Sequence, residues 1–236
     1  MTTLLDGTHY IPLATTAFAL WFAPQLFGRW AERRPSPHLF WWGLGVALYG
    51  LGTLTESLTT LLGWHEGVFR LWYISGALLG GAPLAQGSAY LLLSRPKADR
   101  IAGILVTVVA IAAVCVLLSP VDPARIEAHR LSGHVLTWSW VRAFSPFINT
   151  YAFLMLVGGA VASAWRFARQ PGMTHRTLAN VYIAIGGLLP GIGGTFTRFG
   201  HVEVLYVTEF LGLVLIYIGY RTAVEGRPAT AAAQAA

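Results

Sequence analysis

The chain has 236 residues, of which 55% are hydrophobic and 11% charged, and a net charge of +6. A soluble domain carries about 25% charged residues, so this chain lacks the polar surface to face water on all sides. Its apolar residues are expected to face lipid. In a membrane protein the excess of positive charge is read from its distribution over the loops, and a nucleic-acid partner is excluded.

Crossing the hydrocarbon core takes about 20 apolar residues. Seven stretches are long enough: 10–29, 39–62, 68–94, 101–119, 143–166, 177–197 and 202–221. The first follows Asp6 and has no basic segment before it, so it reads as a retained helix and not a cleaved signal peptide. Proline and charge punctuate the breaks: Arg33-Arg34-Pro35-Ser36-Pro37, Arg95-Pro96-Lys97, Ser119-Pro120 with Asp122-Pro123, and Gln170-Pro171-Gly172. In the longest loop, about 120–142, Asp122 reads as an N-cap with Pro123 at the first helical position. A short surface helix over PARIEAHRL is expected to follow. Residues 1–227 thus form one seven-helix transmembrane domain, and 228–236, small and low in complexity, form a flexible tail. The lone Cys115 excludes an internal disulfide.

Of the sixteen Lys and Arg residues, eleven fall in one set of loops and tails and five in the other. The richer side is cytoplasmic, which puts the N-terminus outside and the C-terminus inside. Tryptophan agrees with these boundaries. Trp30, Trp41, Trp42 and Trp165 fall near one interface, and Trp64, Trp72, Trp138 and Trp140 near the other, the depth that an apolar ring with a polar N–H prefers. The fold class is all-α: a polytopic seven-helix bundle, placed in the plasma (inner) membrane with the lipid bilayer as its first partner.

Two carboxylates lie inside the apolar spans, Glu56 and Glu209. At 1.5 Å rise per residue both sit about 9–12 Å below the outer surface. Ionisable groups inside a membrane are costly, and this makes them functional candidates by default. Arg70 and Arg198 bound the neighbouring spans on the same side and are candidate partners, while Tyr73, Asn149 and Tyr206 occupy the same outer half. Helical spacing sets Tyr49, Thr53, Glu56 and Thr60 on one stripe and Tyr206, Glu209, Tyr217 and Tyr220 on another. Lipid offers such groups no partners, so both stripes should face the bundle interior. The functional reading is an outer polar cavity that binds a ligand or relays protons. The structural reading is a set of links that fix helix packing.

Three weaker signals remain. The third and sixth spans are rich in glycine and proline, including Gly76, Gly80, Pro83, Gly87, Gly186, Pro190 and Gly193, as close packing or a kinked cavity would require. Gln86 and Tyr90, four residues apart in the inner half, read first as an interhelical hydrogen-bonding pair and second as the lining of a substrate path. Histidines gather outside, with His129 and His134 the weak metal candidates. They are not at a compact ligand spacing, and no metal site is assigned.

The seven-span layout resembles the rhodopsin-like families in topology only. A retinal Schiff base needs a lysine in the seventh span, and the sole lysine is Lys97, in a loop. A covalent retinal is therefore excluded, while a non-covalent pigment, a quinone or a lipid remains compatible. The motifs of G-protein-coupled receptors and the histidine set of ceramidase-like hydrolases are absent. The sequence fits best a non-catalytic binding or sensor module, or an accessory subunit packed against other membrane subunits. A proton-coupled carrier of a small solute, using the same carboxylates, is the alternative. A membrane enzyme acting on lipid or quinone ranks third.

Overall fold

The computed structural model of the chain describes residues 7–226. The tail expected over 228–236 lies outside them. The described residues are helical, with isolated β-bridges but no strand. Six helices are long and apolar enough to cross a membrane: α1 (Gly7–Glu32), α3 (Glu66–Leu92), α4 (Arg95–Leu118), α5 (Ser139–Ala168), α6 (Thr174–Phe196) and α7 (Val202–Glu225). These make it a multi-pass membrane protein. Between the first two runs α2 (Pro37–Leu62), 26 residues long, which spans about 39 Å. Fourteen of its residues are buried, more than in any other helix, and α2 packs chiefly between α1 and α3. That position explains its polar residues, which face protein and not lipid.

Helix boundaries follow local chemistry. Ser36 precedes α2 and Ser94 precedes α4, each with a proline in the first helical turn, where the missing N–H costs nothing. Arg95-Pro96-Lys97 was expected to break the chain but instead begins α4, and the turn shortens to Leu93 and Ser94. Two helices carry a π-helical turn, α3 at Tyr73–Leu78 and α5 at Phe153–Gly158. Such a turn frees carbonyls that need partners inside a membrane. On α3 the Ala77 carbonyl accepts from Ser145 Oγ at 2.9 Å and from Asn149 Nδ2 at 3.2 Å, both on α5.

Glycine sets the closest helix crossings. A Cβ at Gly186 would lie 2.6 Å from the Gly212 carbonyl oxygen, and one at Gly212 would lie 2.7 Å from that of Gly186. Gly193 has Leu205 Cα in the same position at 2.7 Å, and Gly52 faces the backbone of Gly76 at 3.1 Å. Small residues allow this approach, and dispersion contacts are the main packing force where lipid supplies no hydrophobic drive. The glycine-rich α6 is therefore a packing face against α7, while Gly191 and Gly194 have open space.

Two clusters form the core. One, around Phe22, Leu26, Val46 and Leu213, joins α1, α2 and α7 with parts of α3, α5 and α6. The other, around Phe69, Leu78 and Val116, joins α3 and α4 to the loop that precedes α5. That loop is folded differently from the expected surface helix. Asp122 does accept from Ala124 N at 3.1 Å with Pro123 next, but only one 3-10 turn follows, Pro123–Arg125. Val135 and Leu136, each 1% exposed, anchor the returning limb of the loop. Asp122 N donates to Val135 O at 2.9 Å and Thr137 N to Pro120 O at 2.9 Å. This pairing pulls the chain back before a second helical turn can form. α4 buries only 22% of its most apolar window, as an apolar helix facing lipid or a partner would.

Candidate functional site

Glu56 and Glu209 come together. They project from α2 and α7 into the half of the bundle capped by the 119–138 loop, where the two side chains are neighbours. Glu56 is 6% exposed. Its Oε1 accepts from Trp72 Nε1 at 3.0 Å, and Trp72 sits at the last position before the π turn of α3. The second carboxyl oxygens, Glu56 Oε2 and Glu209 Oε2, are buried without a hydrogen-bond donor. Neither glutamate has an ion-pair partner among the described residues. Tyr49, two turns below Glu56, donates to the backbone oxygen of Glu209 at 3.1 Å, tying α2 to α7 beneath the pair.

Above Glu56 lies a cavity of about 170 Å³. Glu56 and Trp72 form its floor with Tyr206, and the loop residues His129, Arg130 and His134 form its rim. Tyr206 is 4% exposed and stands beside Thr60, with the His9 ring edge-on at 6.0 Å between centroids. Arg130 is held over the cavity by the Thr197 carbonyl at 2.8 Å and by Glu127 at 3.4 Å. His134 Nδ1 meets the Arg142 guanidinium. Among the described residues no group of three or more His, Cys, Asp or Glu is placed to hold a metal ion.

The other sequence candidates are elsewhere or otherwise engaged. Arg70 turns away from Glu56: it pairs with Glu66 at 2.6 Å and donates to the carbonyls of Val116 and Ser119. It therefore caps the end of α4, where a cation meets the negative end of the helix dipole. The side chain of Arg198 lies outside the described residues. Tyr73 is 3% exposed and packs on Gly133, where a Cβ would come within 2.7 Å of its ring, so it supports the loop from below. Asn149 serves the freed Ala77 carbonyl. Gln86, fully buried, accepts from Tyr151 OH at 2.6 Å and donates to the Ala98 carbonyl at 3.0 Å. It links α3, α4 and α5, and Tyr90 instead donates to Asp99 at 2.7 Å.

Trp72 and Arg130 belong to the site and were missed in the sequence. Trp72 had the signature of an interfacial tryptophan. Only its position before a π turn, which has no sequence signal, aims its N–H at Glu56. Arg130 was placed on an exposed helix, and the loop pairing brings it over the cavity.

Two carboxylates side by side inside a bundle repel strongly, and the repulsion is relieved by a proton on one of them or a cation beside them. The arrangement can hold a proton or bind a small cationic or hydrogen-bond-donating group. Compared with known proteins, the chain matches no protein-family model, no curated protein and no solved structure.

Proposed function

We propose that this chain is a non-catalytic seven-span protein of the plasma (inner) membrane, N-terminus outside, that binds a small solute or proton through an outward-facing cavity that ends on Glu56, with Glu209 behind it. The count of seven rests on α2, long enough to span and enclosed by helices that are apolar enough to do so. The orientation rests on the sequence count of basic residues, eleven in one set of loops and tails against five in the other. The observation that carries the reading is that Glu56, at the floor of a cavity, has the Glu209 carboxyl behind it and no ion-pair partner among the described residues. A purely structural role would have paired each carboxylate with a cation or a full set of donors. Without a ligand, the pair shares one proton. In this reading the protein acts as a binding or sensor module or an accessory subunit.

The test is gentle extraction from native membranes followed by native mass spectrometry and an absorption spectrum. The reading expects a bound small molecule or companion subunit, with the small molecule lost in Glu56→Gln. A lone, colourless, ligand-free monomer contradicts it.

One observation favours the carrier reading as an alternative. A second cavity, lined in part by the same α2 and α7, opens at the opposite end of the bundle. Sites reached from both ends suit alternating access. In that case Glu209→Gln abolishes proton-coupled uptake in vesicles while the protein remains folded, and normal uptake by the variant across pH eliminates the carrier.

A further inference from the structure

The second cavity has a chemistry of its own. It measures about 430 Å³ and lies where α1 ends and α2 begins, against α3 and α7. Arg29 and Arg33 reach it from the end of α1, His38 and Trp42 from α2, and Tyr220 from α7. No aspartate or glutamate lines it. Neither arginine has an ion-pair partner among the described residues. Tyr220 is 5% exposed, and its hydroxyl is buried without a hydrogen-bond partner among the described residues. The Arg29 guanidinium lies 5.8 Å from the centre of the Tyr220 ring. Trp42, 7% exposed, has its Nε1 buried without a partner as well. The flank is apolar, with Leu91 at 56% exposure.

Unpaired guanidinium groups and a buried, idle hydroxyl call for an acceptor-rich anion. Buried donors without partners are rare because each forfeits a hydrogen bond it would make in water. Among the described residues no carboxylate acceptor lines this recess, and an anion from outside the chain would supply the acceptor. The arginine fork matches the oxygens of phosphate, and a basic recess between spanning helices suits a phosphate-bearing headgroup.

We propose that this cavity binds a phosphate-bearing anion, gripped by Arg29 and Arg33 with Tyr220 donating from its floor. A phospholipid headgroup or a free phosphate ion would supply the same chemistry.

The full chain is purified in dodecyl maltoside, which carries no phosphate, and its thermal unfolding is followed by tryptophan fluorescence. Phosphatidylglycerol is doped into the micelles in one series, and inorganic phosphate is added to a phosphate-free buffer in the other. Stabilisation is expected in at least one. A response to phosphatidylglycerol alone assigns a lipid headgroup, and a response to both assigns a phosphate ion. Arg29→Gln with Arg33→Gln is expected to weaken the response about tenfold or more, the loss typical of charge-assisted hydrogen bonds. Arg166→Gln with Arg169→Gln removes equal charge at the same end outside the cavity and is expected to leave the response intact. Tyr220→Phe keeps the ring and every charge, so it carries the test should the double arginine variant not fold, and it too is expected to weaken the response. No stabilisation of the wild type by either probe overturns the proposal. So does equal loss in the Arg166/Arg169 control, or an unchanged response in Tyr220→Phe.

Discussion

Glu56 on α2 and Glu209 on α7 are neighbours inside the bundle, and one oxygen of each lacks a donor among the described residues. The contact is unusual because nearby arginines were available to neutralise it. Arg70 instead closes the end of α4, and Arg130 closes the loop. The fold therefore spends its cations on backbone carbonyls and leaves the acids to each other.

This arrangement predicts the outcome of neutralising either acid. Glu56→Gln and Glu209→Gln each remove one of two like charges and keep a polar amide in place. Both variants are expected to stay within about 1 kcal/mol of wild type or to gain stability, so that the unfolding midpoint falls by no more than about 2–4 °C. Were either carboxylate held by an arginine, losing it would cost about 3–5 kcal/mol. Thermal melts in detergent separate the two cases.

Trp72 gives Glu56 its one side-chain N–H donor, at 3.0 Å. Trp72→Phe leaves that oxygen unsatisfied and is expected to cost about 1–3 kcal/mol. The cost should shrink in the Glu56→Gln background, since the two residues are coupled. Equal costs in both backgrounds would mean that Trp72 contributes only packing.

The α6–α7 crossing predicts a contrast between neighbouring glycines. A Cβ at Gly193 would collide with Thr208 Oγ1 and lie 2.7 Å from Leu205 Cα, whereas one at Gly191 or Gly194 meets nothing within 4 Å. Gly193→Ala is expected to destabilise by about 1–3 kcal/mol or more, as overpacking does. Gly191→Ala and Gly194→Ala are expected to be neutral or to gain up to about 1 kcal/mol from helix propensity. Melting curves of the three variants check the order.

Gln86 anchors three helices, and its site role is tested against this. Tyr151→Phe removes the 2.6 Å bond to Gln86 and is expected to cost about 1–2 kcal/mol in the same melts, with ligand binding at the Glu56 cavity unchanged. A change in that binding would place Gln86 in the functional path.

How far the sequence reached is seen in the same residues. Counting rise per residue placed Glu56 and Glu209 at one depth, because helical geometry in a membrane is regular. The apolar runs were legible for the same reason: hydrophobic length needs no tertiary context. Arg70 was not legible, since its acceptors, the carbonyls of Val116 and Ser119, are backbone groups brought near by folding. Trp72 depended on a π turn without a composition signal. The loop misled because Asp122-Pro123 is a sound helix start, and only the burial of Val135 and Leu136 diverts the chain.

The central claim is that Glu56 and Glu209 hold one proton between them when no ligand is bound. The most direct test is the infrared spectrum of the detergent-purified protein at neutral pH, compared with Glu56→Gln and Glu209→Gln. The account predicts a carboxylic-acid C=O band in the wild type that is shifted or lost in both variants. A wild-type spectrum with carboxylate bands alone, unchanged except for the loss of one carboxylate in each variant, would contradict it.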